Sequence, residues 1–105
     1  MGYGFGGGFG GGNMQALMRQ AQKMQEDMKR IREEIDSTEY TSSVGGGMVE
    51  VTMYGNKTVK NVKIKPEVVD PDDVEMLEDL IASAVGDALN KIAEDEKVKL
   101  PNLGM

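Results

Sequence analysis

The stretch GGGMVEVTMYGNKTVKNVKIKPEVVDPDDVEMLEDLIASAVGDALNKI, residues 45–92, carries the signals that decide the fold. Apolar and polar residues alternate over Met48 to Tyr54, with Val49, Val51 and Met53 on one face, which is typical of a strand. Gly55-Asn56 then predicts a tight hairpin turn with positive φ, and Thr58 to Lys65 resumes the alternation. Together with the polar, β-branched segment Thr38 to Val44, these strands predict a three-stranded antiparallel meander.

A long helix is predicted on each side of the meander. From Asn13, a potential N-cap, apolar residues recur at alternating steps of three and four up to Ile35, which is the pattern of a coiled-coil seam. Asp70 and Pro71 predict the N-cap and the first position of a second helix, which ends near Asp95. The fold class is therefore α+β, in the order α-β-β-β-α, with two long helices.

The segments at the two ends of the chain differ in composition from this domain. Eight of the 14 glycines lie within residues 1–12, a Gly/aromatic segment that we expect to be disordered, because ordering glycine costs much conformational entropy. Residues 13–95 then form one domain. Residues 96–105 lack apolar periodicity and are expected to form a loose tail.

The composition excludes several kinds of chemistry. The 105 residues include no cysteine and no histidine, which rules out disulfides, thiolate metal sites and imidazole catalysis. No Gly-Lys-Ser/Thr follows the glycine run, as a phosphate-binding loop would require, and helix capping explains the aspartates of residues 70–73 better than a cation site does. We therefore expect no enzyme, no cofactor, no metal and no small-molecule substrate.

The sequence shows neither a secretory signal nor an apolar stretch near the roughly 18 residues of a membrane-spanning helix. It therefore predicts a cytoplasmic protein without a membrane partner.

The net charge of −6 is divided unevenly along the chain. Residues 67–105 carry eleven carboxylates and three lysines, a sum of −8, and the residues before them sum to +2. On the first helix, Arg19, Lys23 and Arg30 fall within about 40° of one another on the side away from the seam, with Lys29 beside them. These cations form either a solvated face with i,i+4 ion pairs or a row that follows DNA phosphates.

Both helices carry more apolar surface than a small sheet can cover. The simplest arrangement is a two-fold dimer, in which a second copy covers the remaining surface. The predicted dimer interface consists of Met24, Met28, Ile31, Ile35, Leu77, Leu80, Ile81, Ala84, Val85 and Ala88. The small residues Ala82 and Gly86 either admit another backbone or accommodate the local sheet.

Four segments carry a family resemblance: NMQALMRQAQKMQEDMKRIREEI (13–35), GGGMVEVTMYGN (45–56), VKNVKI (59–64) and DPDDVEMLEDLIASAVGDALNKI (70–92). In this order they resemble the YbaB/EbfC family of bacterial nucleoid-associated proteins. The Gly/Phe segment before the first helix and Gly86, where the family often has asparagine, depart from the family pattern. The resemblance implies an intertwined, tweezer-like homodimer that binds double-stranded DNA through its protruding helical parts. It also implies a nucleoid location and an effect on DNA conformation, nucleoid organisation or gene expression.

Carried onto this sequence, the resemblance assigns DNA contact to the basic residues of the first helix, which are Arg19, Lys23, Lys29, Arg30 and Arg32. Weaker candidates on the sheet are Lys60, Lys63 and Lys65. No base-reading motif is visible, so phosphate and shape contacts are expected to dominate. The alternative is a coiled-coil interaction module, such as a small chaperone or assembly adaptor, whose Met-rich surface binds protein. The acidic net charge favours this alternative and the resemblance favours DNA.

Overall fold

The computed structural model describes the backbone of residues 3–100 and the side chains of residues 13–100. The elements in chain order are helix α1 (Tyr3–Ser37), strands β1 (Glu39–Val44), β2 (Val49–Tyr54) and β3 (Val59–Ile64), a 3-10 helix (Pro66–Val68) and helix α2 (Val74–Lys99). The predicted α-β-β-β-α order is confirmed. The chain divides into two units, residues 1–31 and residues 32–105.

The helix boundaries differ from those expected. Helix α1 begins at Tyr3, so Asn13 lies inside the helix rather than at its cap, since asparagine is compatible with either position. The side chains of residues 1–12 lie outside the described residues, and the disordered tail there stays a prediction. Helix α2 continues to Lys99, four residues beyond the expected end. The rest of the predicted C-terminal tail, residues 101–105, lies outside the described residues.

The three strands form one antiparallel sheet in the order β1-β2-β3. Val51 of the central strand pairs with Ser42 of β1 and with Val62 of β3, and a register shift at Thr52/Met53 interrupts the β2–β3 ladder. Each strand begins and ends within one residue of its predicted bounds. The alternation of apolar and polar residues fixed the face as well, because Val49, Val51 and Met53 are all buried.

Helix α2 packs on the same face of β1 and β2 and forms the core with them. Its fully buried residues are Ala84, Ala88 and Ile92, which recur every four positions and thus share one side of the helix. Ile35, near the end of α1, is also fully buried. Ile35, Ala84 and Ala88 therefore leave no surface for a second copy, because one protomer already covers them completely. The other seven residues of the predicted dimer interface stay candidates for contact with a second copy.

The start of α2 corrects the predicted N-cap. The cap is Asp73, whose side chain accepts a hydrogen bond from the Met76 N–H at 3.3 Å. Asp70 instead shapes the preceding turn, where its side chain accepts from the Asp72 N–H and its carbonyl from the Asp73 N–H, both at 2.9 Å. Both aspartates accept hydrogen bonds from backbone N–H groups, but the N-cap of α2 is Asp73.

The turn between β2 and β3 corrects a second prediction. Its residue with positive φ is Lys57, at 70°, and not Gly55 or Asn56. The Lys57 N–H donates to the Tyr54 carbonyl at 2.9 Å, and the Tyr54 N–H donates to the Thr58 carbonyl at 2.8 Å. This is a three-residue hairpin loop with a left-handed residue in the last position, rather than a two-residue turn.

Candidate nucleic-acid interface

The basic residues near the middle of α1 lie on an exposed helical surface. Arg19, Lys23 and Lys29 are all exposed. Arg19 and Lys23, one helical turn apart, line the same shallow depression together with Ala16 and Gln20. Among the described side chains, no carboxylate lies within ion-pair distance of Arg19, Lys23 or Lys29. Among the candidates on α1, these three cations are therefore the least neutralised by neighbouring carboxylates.

Arg30 lies on the same side of α1 as Arg19 and Lys23, but it forms an ion pair within the helix. Its Nη1 lies 3.0 Å from Oδ1 of Asp27, an i,i+3 ion pair with both side chains exposed to solvent. Exposed pairs of this kind contribute little free energy and exchange readily for other partners. Arg30 can thus reach a phosphate only in competition with a carboxylate of its own helix.

Lys29 is less well aligned with this row than the sequence analysis expected. At 3.6 residues per turn, it lies about 80° or more round the helix from Arg19, Lys23 and Arg30. A phosphate backbone that contacts Arg19 and Lys23 would meet Lys29 only at the flank of the helix.

Arg32 has a different environment from the other arginines of α1. Its guanidinium lies 2.8 Å from Oε2 of Glu96 on α2 and 2.8 Å from Oδ1 of Asp36. The hydrogen bond to Glu96, ahead of that to Asp36, raises the pKa of Arg32 above its ordinary value. Because both carboxylates face the same guanidinium, Arg32 joins the end of α1 to the end of α2 and has little capacity left for DNA.

The lysines of the sheet are also unequal. Lys60 lies 2.8 Å from Oε2 of Glu39, and this hydrogen bond raises the pKa of Lys60. Lys63 and Lys65 are exposed and have no ion-pair partner among the described residues. These two lysines are therefore distinguished from Lys60 by the absence of an ion pair within the described residues.

A polar cluster at the C-terminal half of α2 has no counterpart in the sequence analysis. The Tyr40 hydroxyl donates a hydrogen bond to Asp95, which also pairs with Lys99 at 3.2 Å. Burial, followed by the bond to Asp95, raises the pKa of Tyr40 to about 12. The Tyr40 bond, ahead of the Lys99 pair, lowers the pKa of Asp95. The Tyr40–Asp95 bond joins residues 55 positions apart, so no local sequence pattern could have indicated it.

Two further contacts fasten α2 to β1. The Lys91 ammonium donates to the Thr41 carbonyl at 2.6 Å, and the buried Ser42 hydroxyl donates to Asp87 at 3.2 Å. Among the described residues, no buried side-chain nitrogen or oxygen lacks a hydrogen-bond partner. The buried polar atoms of this cluster are therefore satisfied, and the contacts hold α2 on β1.

The members of the predicted dimer interface that are not fully buried retain apolar surface. On α1, Met24 is exposed, and Met28 and Ile31 are half-buried. On α2, the half-buried members pack against the core with part of their surface in solvent; they are Leu77, Leu80, Ile81 and Val85. These residues can contact a second copy without any change in the core.

Within the described part of the chain, no group of three or more acidic side chains is arranged to hold a metal ion. No helix there has both the length and the apolar character needed to cross a membrane.

Comparison with known proteins gives a consistent family. Residues 10–104 match the sequence model of the YbaB/EbfC DNA-binding family. A nucleoid-associated protein of Ruminiclostridium cellulolyticum is 55% identical over 91 residues, which are 87% of this chain and 79% of that protein. A nucleoid-associated protein of Clostridium botulinum strain Eklund 17B is 56% identical over 100 residues, which are 95% of this chain and 88% of that protein.

The fold has a counterpart among solved structures. The crystal structure of the uncharacterized protein HP0035 from Helicobacter pylori matches with a TM-score of 0.69 and 25% sequence identity. The match covers 85% of this chain and 94% of that one. The family model and the curated relatives both extend over most of the sequence, including both helices and the sheet between them. The chain therefore belongs to the YbaB/EbfC DNA-binding family.

Proposed function

We propose that this protein binds double-stranded DNA through the basic side of α1, as a homodimer, and acts as a nucleoid-associated protein in the cytoplasm. Arg19 and Lys23 are the principal phosphate contacts, with Arg30 and Lys29 as secondary ones. The observation that carries the proposal is the exposed pair Arg19 and Lys23, which have no carboxylate partner among the described residues. Because the chain belongs to a DNA-binding family, DNA is the ligand that we propose for this pair.

Phosphate contact is the mode of binding that these side chains favour. Arg19 and Lys23 are long, flexible cations one helical turn apart, and such residues position a protein on the DNA backbone without reading bases. The names of the curated relatives support a role at the nucleoid, with effects on DNA conformation, nucleoid organisation or gene expression. The family relationship does not favour the alternative of a protein-interaction module.

The charge distribution limits the affinity. Residues 67–105 sum to −8, and these carboxylates repel a DNA backbone over a range of about 10 Å at 0.1 M salt. Two protomers supply two basic rows, which offsets part of this repulsion. We therefore expect binding that is non-specific and strongly dependent on salt.

The test is a fluorescence anisotropy titration of a labelled duplex of mixed sequence at several salt concentrations. The logarithm of the binding constant should fall linearly with that of the salt concentration, with a slope of about −0.9 per neutralised phosphate. Lys23→Glu should weaken binding about tenfold or more and make the slope less steep by about 1.8, because each of the two protomers loses one phosphate contact.

Lys97→Glu is the matched control. Lys97 is an exposed lysine near the end of α2, so its substitution changes the net charge by the same amount without touching the basic row. Its binding constant should stay within about twofold of that of the original protein at 0.1 M salt, where distant charges are screened. Equal losses in both variants would show that net charge alone governs binding. Absence of binding by the folded protein at low salt would refute the proposal.

A further inference from the structure

Helix α1 carries a second set of polar side chains beside its cations. At 3.6 residues per turn, Gln15, Gln22 and Glu26 fall within about 40° of one another. All residues from 13 to 26 are exposed, so this side of the helix is open to solvent in the protomer. The side formed by Gln15, Gln22 and Glu26 is called the polar face of α1 below.

Cations lie on both flanks of the polar face. Arg19 and Lys23 lie on one flank, about 20° and 60° beyond Glu26, and Lys29 lies on the other, about 20° beyond Gln22. One row of phosphates along Arg19 and Lys23 leaves the position of Lys29 without a purpose. Two rows of phosphates, one on each flank, give every one of these cations a contact and leave the amides between the rows.

The major groove of B-DNA has this arrangement. The groove is about 12 Å wide and lies between two phosphate strands, and a helix with its side chains is about 10–12 Å across. A helix inside the groove therefore turns its flanks to the strands and the side between them to the base edges. Along the helix axis, Gln15 and Gln22 are about 10 Å apart, which is about three base-pair steps of 3.4 Å.

The polar face has the hydrogen-bonding groups that base edges require. A glutamine amide can bond to N6 and N7 of adenine at once. Among the described residues, neither Gln15 nor Gln22 forms a hydrogen bond, so both amides are available. The Glu26 carboxylate can accept from an amino group, as on cytosine, and is repelled by a phosphate. Glu33, two turns further on the same side, ends the contact because it adds a second carboxylate.

A protein partner of α1 would use a different side of the helix. Leu17 and Met24 are exposed apolar residues that lie about 140° or more from Gln15 and Gln22. A partner that buries this apolar surface leaves the polar face free. The flanking cations then favour a polyanion as the ligand of the polar face.

We propose that the polar face of α1 enters the major groove of double-stranded DNA, where Gln15 and Gln22 read the edges of adenine bases. Arg19 and Lys23 contact the phosphates of one strand and Lys29 those of the other. The inference rests on the proposed binding of DNA through α1. It adds a preference among sequences to an affinity that remains mainly electrostatic.

Selection from a pool of duplexes with a randomised centre, followed by sequencing, measures this preference. The original chain should enrich adenine about fivefold or more at two positions about three base pairs apart, since fivefold is the lower end of what one bidentate contact provides. Gln15→Ala should remove the enrichment at one position and Gln22→Ala at the other. Alanine favours the helix, and neither substitution removes a phosphate contact, so the salt slope should stay the same.

Gln20→Ala is the matched control. Gln20 is an exposed glutamine of the same helix that lies about 140° or more from Gln15 and Gln22. Its substitution should leave the enrichment at both positions unchanged. Equal losses in Gln20→Ala and Gln22→Ala would overturn the inference, and so would a pool that the original chain binds without enrichment.

A modified base identifies the groove. 7-Deazaadenine lacks the N7 acceptor in the major groove and keeps the minor-groove edge of adenine. With this base at an enriched position, the affinity of the original chain should fall about fivefold or more. The affinity of the glutamine variant that lost that position should not fall further. An unchanged affinity of the original chain would overturn contact in the major groove.

These comparisons are made between duplexes that the same chain binds, so they are independent of the phosphate contacts. Salt-dependent binding without enrichment would overturn the base contacts and leave the proposed function in place. Absence of binding by the folded chain at low salt would overturn both.

Discussion

Gly55 lies directly against the backbone carbonyl of Ile35. A Cβ atom built on Gly55 would lie 1.9 Å from the Ile35 oxygen and 2.6 Å from its carbon. The Gly55 N–H donates to the Thr38 carbonyl at 3.0 Å, and the Thr38 N–H donates to the Ile35 carbonyl at 3.1 Å. The loop between β2 and β3 is therefore seated on the end of α1, and this approach requires a residue without a side chain.

Gly55→Ala should lower the free energy of unfolding by about 3 kcal/mol, the upper end of the usual cost of overpacking. The cost is high because the clash is with backbone atoms, which cannot rotate away as a side chain can. Urea denaturation followed by circular dichroism measures it. A free energy of unfolding unchanged within about 0.5 kcal/mol, the usual range for a neutral surface substitution, would show that the loop can shift at no cost.

Gly86→Ala is the contrasting substitution. Gly86 lies inside α2, and apart from its chain neighbours and the backbone of its own helical turns no described atom lies within 4 Å of the position of a Cβ. Alanine there should raise the free energy of unfolding by about 0.5–1 kcal/mol, because it restricts the unfolded chain and favours the helix. The same urea titration reports it. A rise in the dimer dissociation constant would instead show that a second backbone approaches Gly86, which is the other role considered for Ala82 and Gly86.

The strands were the most predictable part of the fold. Alternation assigns both the conformation and the buried face from neighbouring residues alone, so Val49, Val51 and Met53 were placed correctly. The same argument placed Val62 and Ile64 on that face, where the register confirms them. It could not predict that they are exposed, because coverage depends on where α2 packs. Sequence periodicity therefore predicts which face of the sheet a side chain lies on, but the exposed fraction of that side chain depends on tertiary packing.

For the candidate site, too, local spacing predicted which side of the helix a residue lies on but not which distant residues it contacts. Helical spacing placed Arg19 and Lys23 on one side of α1, where they line one depression. The engagement of Arg32 by Glu96, 64 positions later, lies beyond any local pattern. The predicted N-cap of α2, Asp70, was wrong. Residues 70–73 include three aspartates that could cap the helix, and the backbone geometry selects Asp73.

Lys57→Gly should stabilise the hairpin. Lys57 has a φ of 70°, which costs a residue with a side chain roughly 1–2 kcal/mol and glycine nothing. The added flexibility of glycine in the unfolded chain offsets up to about 1 kcal/mol of this gain. The lost pair with Glu96, at 3.7 Å with an exposed lysine, contributes little. We expect a higher urea midpoint with an unchanged slope, and a lower midpoint would show that the Glu96 pair dominates.

The burial of Tyr40 and its bond to Asp95 predict a dependence of stability on pH at both extremes. The pKa of Tyr40 is raised from 10.0 to about 12, so its contribution to the free energy of unfolding is complete below pH 10 and is lost as the pH rises from 10 to 12. The pKa of Asp95 lies below its ordinary 3.8, so its contribution is complete above pH 3.8 and is lost as the pH falls through the folded pKa.

Tyr40→Phe should reduce the loss of stability at both the acid and the alkaline limb of the pH profile. The profile is measured as the urea midpoint at each pH. Tyr54→Phe, at a second half-buried tyrosine, is the control and should retain both limbs. A profile of Tyr40→Phe that falls as steeply as the original between pH 10 and 12 would show that other groups, such as the lysines, cause the alkaline loss.

The two arginines Arg19 and Arg32 should separate DNA binding from stability. Arg19 is exposed without a carboxylate partner among the described residues, whereas Arg32 is held by Asp36 and Glu96. Arg19→Gln should make the salt slope of DNA binding less steep by about 1.8, one phosphate contact for each protomer of the dimer, and leave the free energy of unfolding within about 0.5 kcal/mol. Arg32→Gln should leave the slope unchanged and lower the free energy of unfolding by about 1 kcal/mol, since its ion pairs are partly exposed. If Arg32→Gln reduced the slope as much as Arg19→Gln, DNA would have to displace Glu96 from Arg32. The phosphate contacts would then extend to the end of α1.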